Sequence, residues 1–321
     1  MNYIVLDLEW NQSAYGKHRE LKSLPFEIIE IGAIKLNDDF QITDHFQSII
    51  RPVIYPQMHY ISQEITGFTS SELKSGDKFP KVLNRFMKWC GEDSFRFCTW
   101  GPLDLTELQR NMKYYNLPLF PAPVFFYDIQ EIFSISINDK AVRRSLEYAV
   151  EYFKLSKKGD FHRALSDAYY TAMIIKCMNK DNILRNYTID TYQKPKNMKE
   201  EVCIIYEDHS KYVSRAFLSK AEALKDREAA SAKCCKCGRR LRKKIHWFSD
   251  NSKNYYCLAY CHEHGFLAGK IHIKKTEDNL YFMIKELRLI DDAEAALIYE
   301  RRNEFRRKRR LKRRQKAPYH Q

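Results

Sequence analysis

Tyr3-Ile-Val-Leu-Asp-Leu-Glu-Trp10 is the stretch that decides the fold. Its apolar density is that of a central strand buried on both faces. The two-residue repeat of a strand turns Asp7 and Glu9 to the same side, roughly 7 Å apart along the chain. Two like charges so placed repel, and keeping both ionised in a partly dry site requires a compensating cation. Hard oxygen ligands on a rigid strand suit Mg²⁺ or Mn²⁺. For an isolated D-x-E pair the bland alternative is a solvated strand end.

Three later segments weigh against that alternative. Phe95-Arg-Phe-Cys-Thr99 reads as a strand ending in the turn Trp100-Gly-Pro-Leu-Asp104, with Asp104 opening an amphipathic helix over Leu105 to Tyr115. His162-Arg-Ala-Leu-Ser-Asp167 sets a histidine and a carboxylate five residues apart at the start of a helix whose apolar face continues through Ala168, Ala172, Ile175 and Met178. Between them, Glu27-Ile-Ile-Glu-Ile-Gly-Ala-Ile34 is a second buried strand, and Ile65-Thr-Gly-Phe68 is a turn between short helical pieces. Each is weak alone; their order makes them strong together.

In that order, D-x-E, E-I-I-E-I-G-A, I-T-G, W-G-x-x-D and H-x-x-x-x-D resemble the DEDDh exonucleases, the DnaQ-like group on a ribonuclease H-like fold that includes KapD-like and ERI-like enzymes. The resemblance covers roughly residues 1–180, one domain by length. It implies an α/β fold, a mixed five-stranded sheet flanked by helices, with a third strand over Gln41 to Arg51, a fifth over Val124 to Gln130, and helices near Pro80 to Cys90 and Val142 to Phe153. It also implies two Mg²⁺ or Mn²⁺ ions held by Asp7, Glu9, Asp104 and Asp167, with His162 as general base. A sister group carries tyrosine four residues before the last aspartate; Arg163 stands there, which favours the histidine type. Substrate contacts are implied at Leu8, Trp10, Ile65, Gly67, Phe68 and Gly101, with plain core packing the alternative for Phe68.

The chemistry asks for these residue types. Phosphodiester hydrolysis needs a water in line with the leaving 3′-oxygen and neutralised charge on the phosphoryl group, and two metals about 4 Å apart serve both needs. Histidine titrates near neutral pH, so His162 on a loop before a helix can accept the water's proton. A capping or surface histidine is the alternative.

Charge divides the chain. Residues 1–180 carry 22 Lys+Arg and 22 Asp+Glu, so residues 181–321, with 33 and 19, hold the whole net charge of +14. The periodicity breaks across a linker, residues 181–201, at Thr191-Tyr-Gln-Lys-Pro-Lys-Asn197. A basic appendage on a phosphodiesterase domain points to extended nucleic acid.

Residues 202–300 are expected to form a small zinc-binding α+β domain. Cys234-Cys-Lys-Cys237-Gly238 and Cys261-His-Glu-His264-Gly265 each read C-x-x-(C/H)-G, the form of a zinc knuckle. Two knuckles make one tetrahedral site, assigned to Cys234, Cys237, Cys261 and His264, with a hairpin over His246 to Tyr260 between them. Cys235, Cys257 and His262 are alternates. The resemblance here is to zinc ribbons in general. A disulfide framework competes, but nine cysteines are an odd number and no signal peptide or transmembrane run is seen, so a reducing cytoplasm is expected.

Arg239-Arg-Leu-Arg-Lys-Lys244 runs off the first knuckle into His246, Trp247 and Phe248, a mixture able to grip phosphates and stack bases, or simply a solvated hairpin. Leu280 to Tyr299 reads as strand and helix. A basic tail over residues 301–321 closes the chain; 11 of its first 16 residues are Lys or Arg, which suits polyanions through counterion release. No apolar face accompanies it, so nucleic acid outranks membrane as the partner. The expected function is a metal-dependent 3′–5′ exonuclease acting on RNA. Single-stranded DNA proofreading, or a non-catalytic nucleic-acid-binding adaptor, are the alternatives.

Overall fold

Strand β1 (Asn2–Asn11) sits between neighbours on both sides, as its unbroken apolar run requires. In a computed structural model, residues 1–139, 142–156, 161–249, 253–276 and 278–316 are described, with side chains through 311. The chain divides into two units, Met1–Gln193 and Lys194–Gln321.

The first unit follows β1 with β2 (Glu27–Leu36), β3 (Ile42–Ile49), α1 (Tyr60–Thr66), α2 (Ser70–Lys74), α3 (Phe79–Cys90) and β4 (Phe95–Thr99). Then come α4 (Leu103–Tyr114), β5 (Phe125–Asp128), α5 (Ile129–Ser136), α6 (Leu146–Tyr152), α7 (Ala164–Cys177), α8 (Lys180–Arg185) and β6 (Thr188–Ile189). The sheet order is β3-β2-β1-β4-β5-β6, with β1–β4 and β4–β5 parallel and the other pairs antiparallel. Strand alternation sorts β1 between two cores. Ile4, Leu6 and Leu8 pack with Val82 and Phe86 of α3 and Leu105 and Leu108 of α4. Tyr3 and Val5 pack with Ala168, Tyr170 and Ala172 of α7. Asp7 and Glu9 share the parity of Tyr3 and Val5, so the period of two delivers both carboxylates to the α7 side.

Two expectations shift. A sixth strand joins the sheet, because β6 pairs with β5 at Phe125–Ile189 and Phe126–Thr188. The stretch expected as linker after residue 180 is therefore partly structure: α8 and β6 belong to the first unit, and the polar composition that suggested a linker is that of short surface elements.

The second unit contains β7 (Val202–Ile205), β8 (His209–Val213), α9 (Lys220–Lys225), β9 (Arg242–Phe248), β10 (Asn254–Cys261), β11 (Gly265–Lys275), β12 (Tyr281–Ile290) and α10 (Asp292–Lys316). Its strands form one antiparallel sheet in the order β7-β8-β12-β11-β10-β9. The expected boundary at residue 301 falls inside α10. Ala295 is buried with Ile245 and Leu258, Ile298 packs against them, Phe305 meets Phe248 with ring centroids 6.2 Å apart, and the Arg301 guanidinium lies 3.9 Å from the Tyr256 ring. The start of the basic tail, through Phe305, is thus docked on the sheet by the apolar face of α10. Residues 317–321 lie outside the described residues.

Candidate active site

Three elements converge on the end of β1. Asp7 and Glu9 project from it, and Asp167 comes from the first turn of α7; one carboxylate oxygen of each lies within 4.8 Å of the others. Asp104, in the first turn of α4, is buried, and its Oδ1 accepts the Leu8 backbone N–H at 3.2 Å. That bond ties α4 to β1 between the two strand carboxylates.

The electrostatics are those of a site short of positive charge. Burial, then Asp104, Glu9 and Asp167, push the Asp7 carboxyl well above the ordinary range. Burial and then Asp167 raise Glu9 to about 8. Burial lifts Asp104 to about 7 and Asp167 to about 6, although backbone N–H groups bond to both carboxylates. Asp167 Oδ2 accepts the His162 N–H at 3.1 Å, whereas Oδ1 is buried with no hydrogen-bond partner. Three carboxylates this close, one of them with a buried oxygen left unpartnered, are a donor set for a hard divalent cation.

His162 occupies the loop before α7 with φ of 65°. Its side chain is half exposed, and Nε2 lies 3.9 Å from Glu147 Oε1 rather than among the carboxylates. The backbone, not the ring, makes the contact with Asp167.

The apolar strand motif also has a mechanical role that sequence reasoning missed. Glu27 accepts the backbone N–H groups of Val53, Ile54 and Tyr55 and the Tyr115 hydroxyl. Glu30, fully buried and opposite Glu9 across the ladder, receives the Arg163 guanidinium at 3.0 and 3.2 Å, the Ala164 N–H at 3.0 Å and Gln47 Nε2 at 2.8 Å. Arg163 also lies 4.4 Å from the centre of the Phe68 ring. Charged residues inside an otherwise apolar strand were the available signal, since such groups are buried only when paired.

The expected substrate contacts divide. Ile65 is exposed, Gly67 ends α1, and Trp10 is half-buried against Phe26. Gly101 lies beside Gln130, whose Oε1 would meet a Cβ there at 3.3 Å. The side chains of Leu8 and Phe68 are buried, which for Phe68 is the core-packing alternative. Leu8 is core and offers only its backbone, while Phe68 is buried with Ile29, Met58 and Leu73 and supports Arg163.

In the second unit, the ligand atoms of Cys234, Cys237, Cys261 and His264 lie within 4.8 Å of one another. Cys237 and Cys261 Sγ are 3.7 Å apart, and His264 Nδ1 is 3.6 Å from Cys234 Sγ and 3.5 Å from Cys261 Sγ. Gly238 and Gly265 take φ of 70° and 81°, the conformation for which each knuckle uses glycine. Cys261 is drawn down to about 6, with the His264 side chain and nearby backbone N–H groups outweighing desolvation. Of the alternates, Cys257 is buried on β10, His262 sits against the Tyr260 ring, and neither these nor Cys235 join the group. None of the nine cysteines forms a disulfide.

A ribonuclease H-like sheet with Asp7, Glu9, Asp104 and Asp167 at one strand end, and His162 on the adjoining loop, defines an exonuclease domain. Residues 4–175 match the family model described as RNase_T, Exonuclease, and the chain belongs to this family of exonucleases. It is 25% identical over 178 residues to the probable 3′-5′ exonuclease KapD of Bacillus subtilis, spanning 56% of this chain and 84% of that protein. It is 23% identical over 165 residues to 3′-5′ exoribonuclease 1 of Rattus norvegicus, spanning 48% of this chain and 47% of that protein. Among solved structures, the nuclease domain of 3′hExo, described as a DEDDh family member bound to rAMP, shares the fold with a TM-score of 0.50 at 22% identity, covering 59% of this chain and 96% of that one.

Proposed function

We propose that the chain shortens RNA from its 3′ end with two Mg²⁺ or Mn²⁺ ions, and that the second unit, closed by one structural Zn²⁺, holds the polynucleotide. Two observations carry the metal reading: one carboxylate oxygen each of Asp7, Glu9 and Asp167 lie within 4.8 Å of one another, and Asp167 Oδ1 is buried without a hydrogen-bond partner. Asp7, Glu9, Asp104 and Asp167 would hold the ions, which supply charge neutralisation at the phosphoryl oxygens.

The chain's own groups do the rest. His162, on a half-exposed loop position, accepts the proton of the attacking water at its ring nitrogen after leaving Glu147. Arg163, clamped on Glu30, fixes the start of α7 and hence Asp167. Exposed Ile65 and half-buried Trp10 offer apolar surface to the terminal nucleotide, and the exposed backbone of Gly67 offers polar atoms, while Leu8 and Gly101 are buried and act through the positions they fix.

RNA is favoured over single-stranded DNA because the rat relative is an exoribonuclease and the 3′hExo nuclease domain is bound to rAMP. Nine thiols, three of them grouped with His264 for zinc, favour a reducing cytoplasm. Among the described residues no helix is long and apolar enough to cross a membrane. The test is digestion of 5′-labelled RNA and DNA oligonucleotides with Mg²⁺ or Mn²⁺. A ladder shortening from the 3′ end of RNA is expected; degradation of DNA alone would overturn the substrate assignment.

A further inference from the structure

The basic run Arg239–Lys244 does not form one patch; the fold disperses it. Arg239 pairs with Glu263 at 2.5 Å, Arg240 reaches Glu228 at 3.3 Å, and Lys244 lies over the Tyr260 ring at 5.5 Å. Arg240 and Lys243, however, turn into an open cleft of about 410 Å³ bounded on its other side by the end of α9 and the segment that follows it. Lys225 and Arg227 enter from that side, and Leu224, Ala230, Ala232 and Leu241 form an apolar floor.

Four cations thus converge there from two stretches that are distant in sequence. The carboxylates nearby are already engaged. Asp226 takes Arg215 at 2.8 Å and the N–H groups of Glu228 and Ala229, and Glu228 takes Lys233 and Arg240. Among the described residues, Lys225, Arg227 and Lys243 have no ion-pair partner, and Lys243 rests over the Trp247 ring, whose N–H is tied to the Ala230 carbonyl. Unneutralised like charges around a concave, ligand-sized surface raise the local potential and draw anions.

We infer that this cleft binds backbone phosphates of the RNA chain, separately from the carboxylate site. A polymer fits better than a single phosphate ion. The cleft adjoins a second one of about 490 Å³ that shares Lys225 and Asp226, so the concavity is extended. Its apolar floor also offers surface to riboses, which an inorganic anion would not use. The identity of the polyanion rests on the RNA reading above; the site itself does not.

The experiment compares full-length wild type with Lys225→Gln/Arg227→Gln/Lys243→Gln, and with a control triple, Lys211→Gln/Lys236→Gln/Lys270→Gln, that removes the same charge outside the cleft. Binding of a fluorescent 30-nucleotide RNA is titrated in EDTA over a range of salt, and dinucleotide cleavage is measured with Mg²⁺. The cleft triple should weaken binding at least tenfold and lower the log–log salt slope by about 2, given roughly 0.7 per single-strand phosphate contact. Dinucleotide cleavage and zinc content should match wild type. Equal losses in both triples, or no loss in the cleft triple, would overturn the cleft. If wild type binds and degrades DNA but not RNA, the RNA reading fails, and the same comparison on DNA still decides the cleft.

Discussion

A Cβ placed on Gly32 would lie 2.1 Å from the carbonyl carbon of Ala164, so β2 and the start of α7 touch backbone to backbone. Neither element can shift without moving Asp167, which lies one turn further along α7. Gly32→Ala should therefore separate Asp167 from Asp7 and Glu9. Overpacking commonly costs about 1–3 kcal/mol. Calorimetry should show a lowered melting temperature, and Mn²⁺ titration a weakened site; wild-type metal affinity in a folded variant would contradict this.

The crowded carboxylates give the metal-free protein a distinct pH dependence. Their folded values, about 8 for Glu9, 7 for Asp104 and 6 for Asp167, lie above the unfolded ones near 4. The folded state then holds protons that the unfolded state has released, so the stability these groups contribute falls as pH rises from about 4 through about 8. In EDTA the melting temperature should drop between pH 5.5 and 8, and Glu9→Gln should flatten that slope. Added Mg²⁺ should restore most stability at the alkaline end, where the ligands are ionised.

His162→Ala should slow turnover by about 10²–10⁴-fold, the usual worth of a general base, while Mn²⁺ affinity stays within a few fold of wild type. Loss of metal binding instead would make the imidazole a ligand. Asp7→Asn is the reference, expected to abolish cleavage and weaken the metal together.

Cys237→Ser and His264→Ala should each release close to one zinc per chain, detected by a chromogenic chelator, and expose residues 230–270 to protease. Cleavage of a short oligonucleotide should continue, because the carboxylate site belongs to the first unit. Full zinc retention in both variants would remove this ligand set.

The sheet and its carboxylates were legible because they obey short-range rules. The period of two puts Asp7 and Glu9 together, and the knuckle spacing gathers four zinc-type ligands. The roles of Glu27 and Glu30 were hidden, since what each grips lies 17 or more residues away along the chain. The burial of the Leu8 and Phe68 side chains was not decided by the motifs, because a motif locates a residue without showing which way its side chain points. The docking of α10 was obscured by its own composition. In the basic stretch Arg301–Arg310, one apolar residue, Phe305, marks the face on the sheet.

That helix joins two regimes of structural constraint. Up to Phe305, each turn must keep register with Ile245, Leu258 and Phe248, and a changed residue there is felt by the sheet. From Arg306 to Leu311 every residue is exposed, so little beyond net sign is under structural control. The outer segment can lengthen, shorten or exchange arginine for lysine without disturbing the inner one. The charge presented by the outer segment is therefore independent of the packing that fixes the inner one.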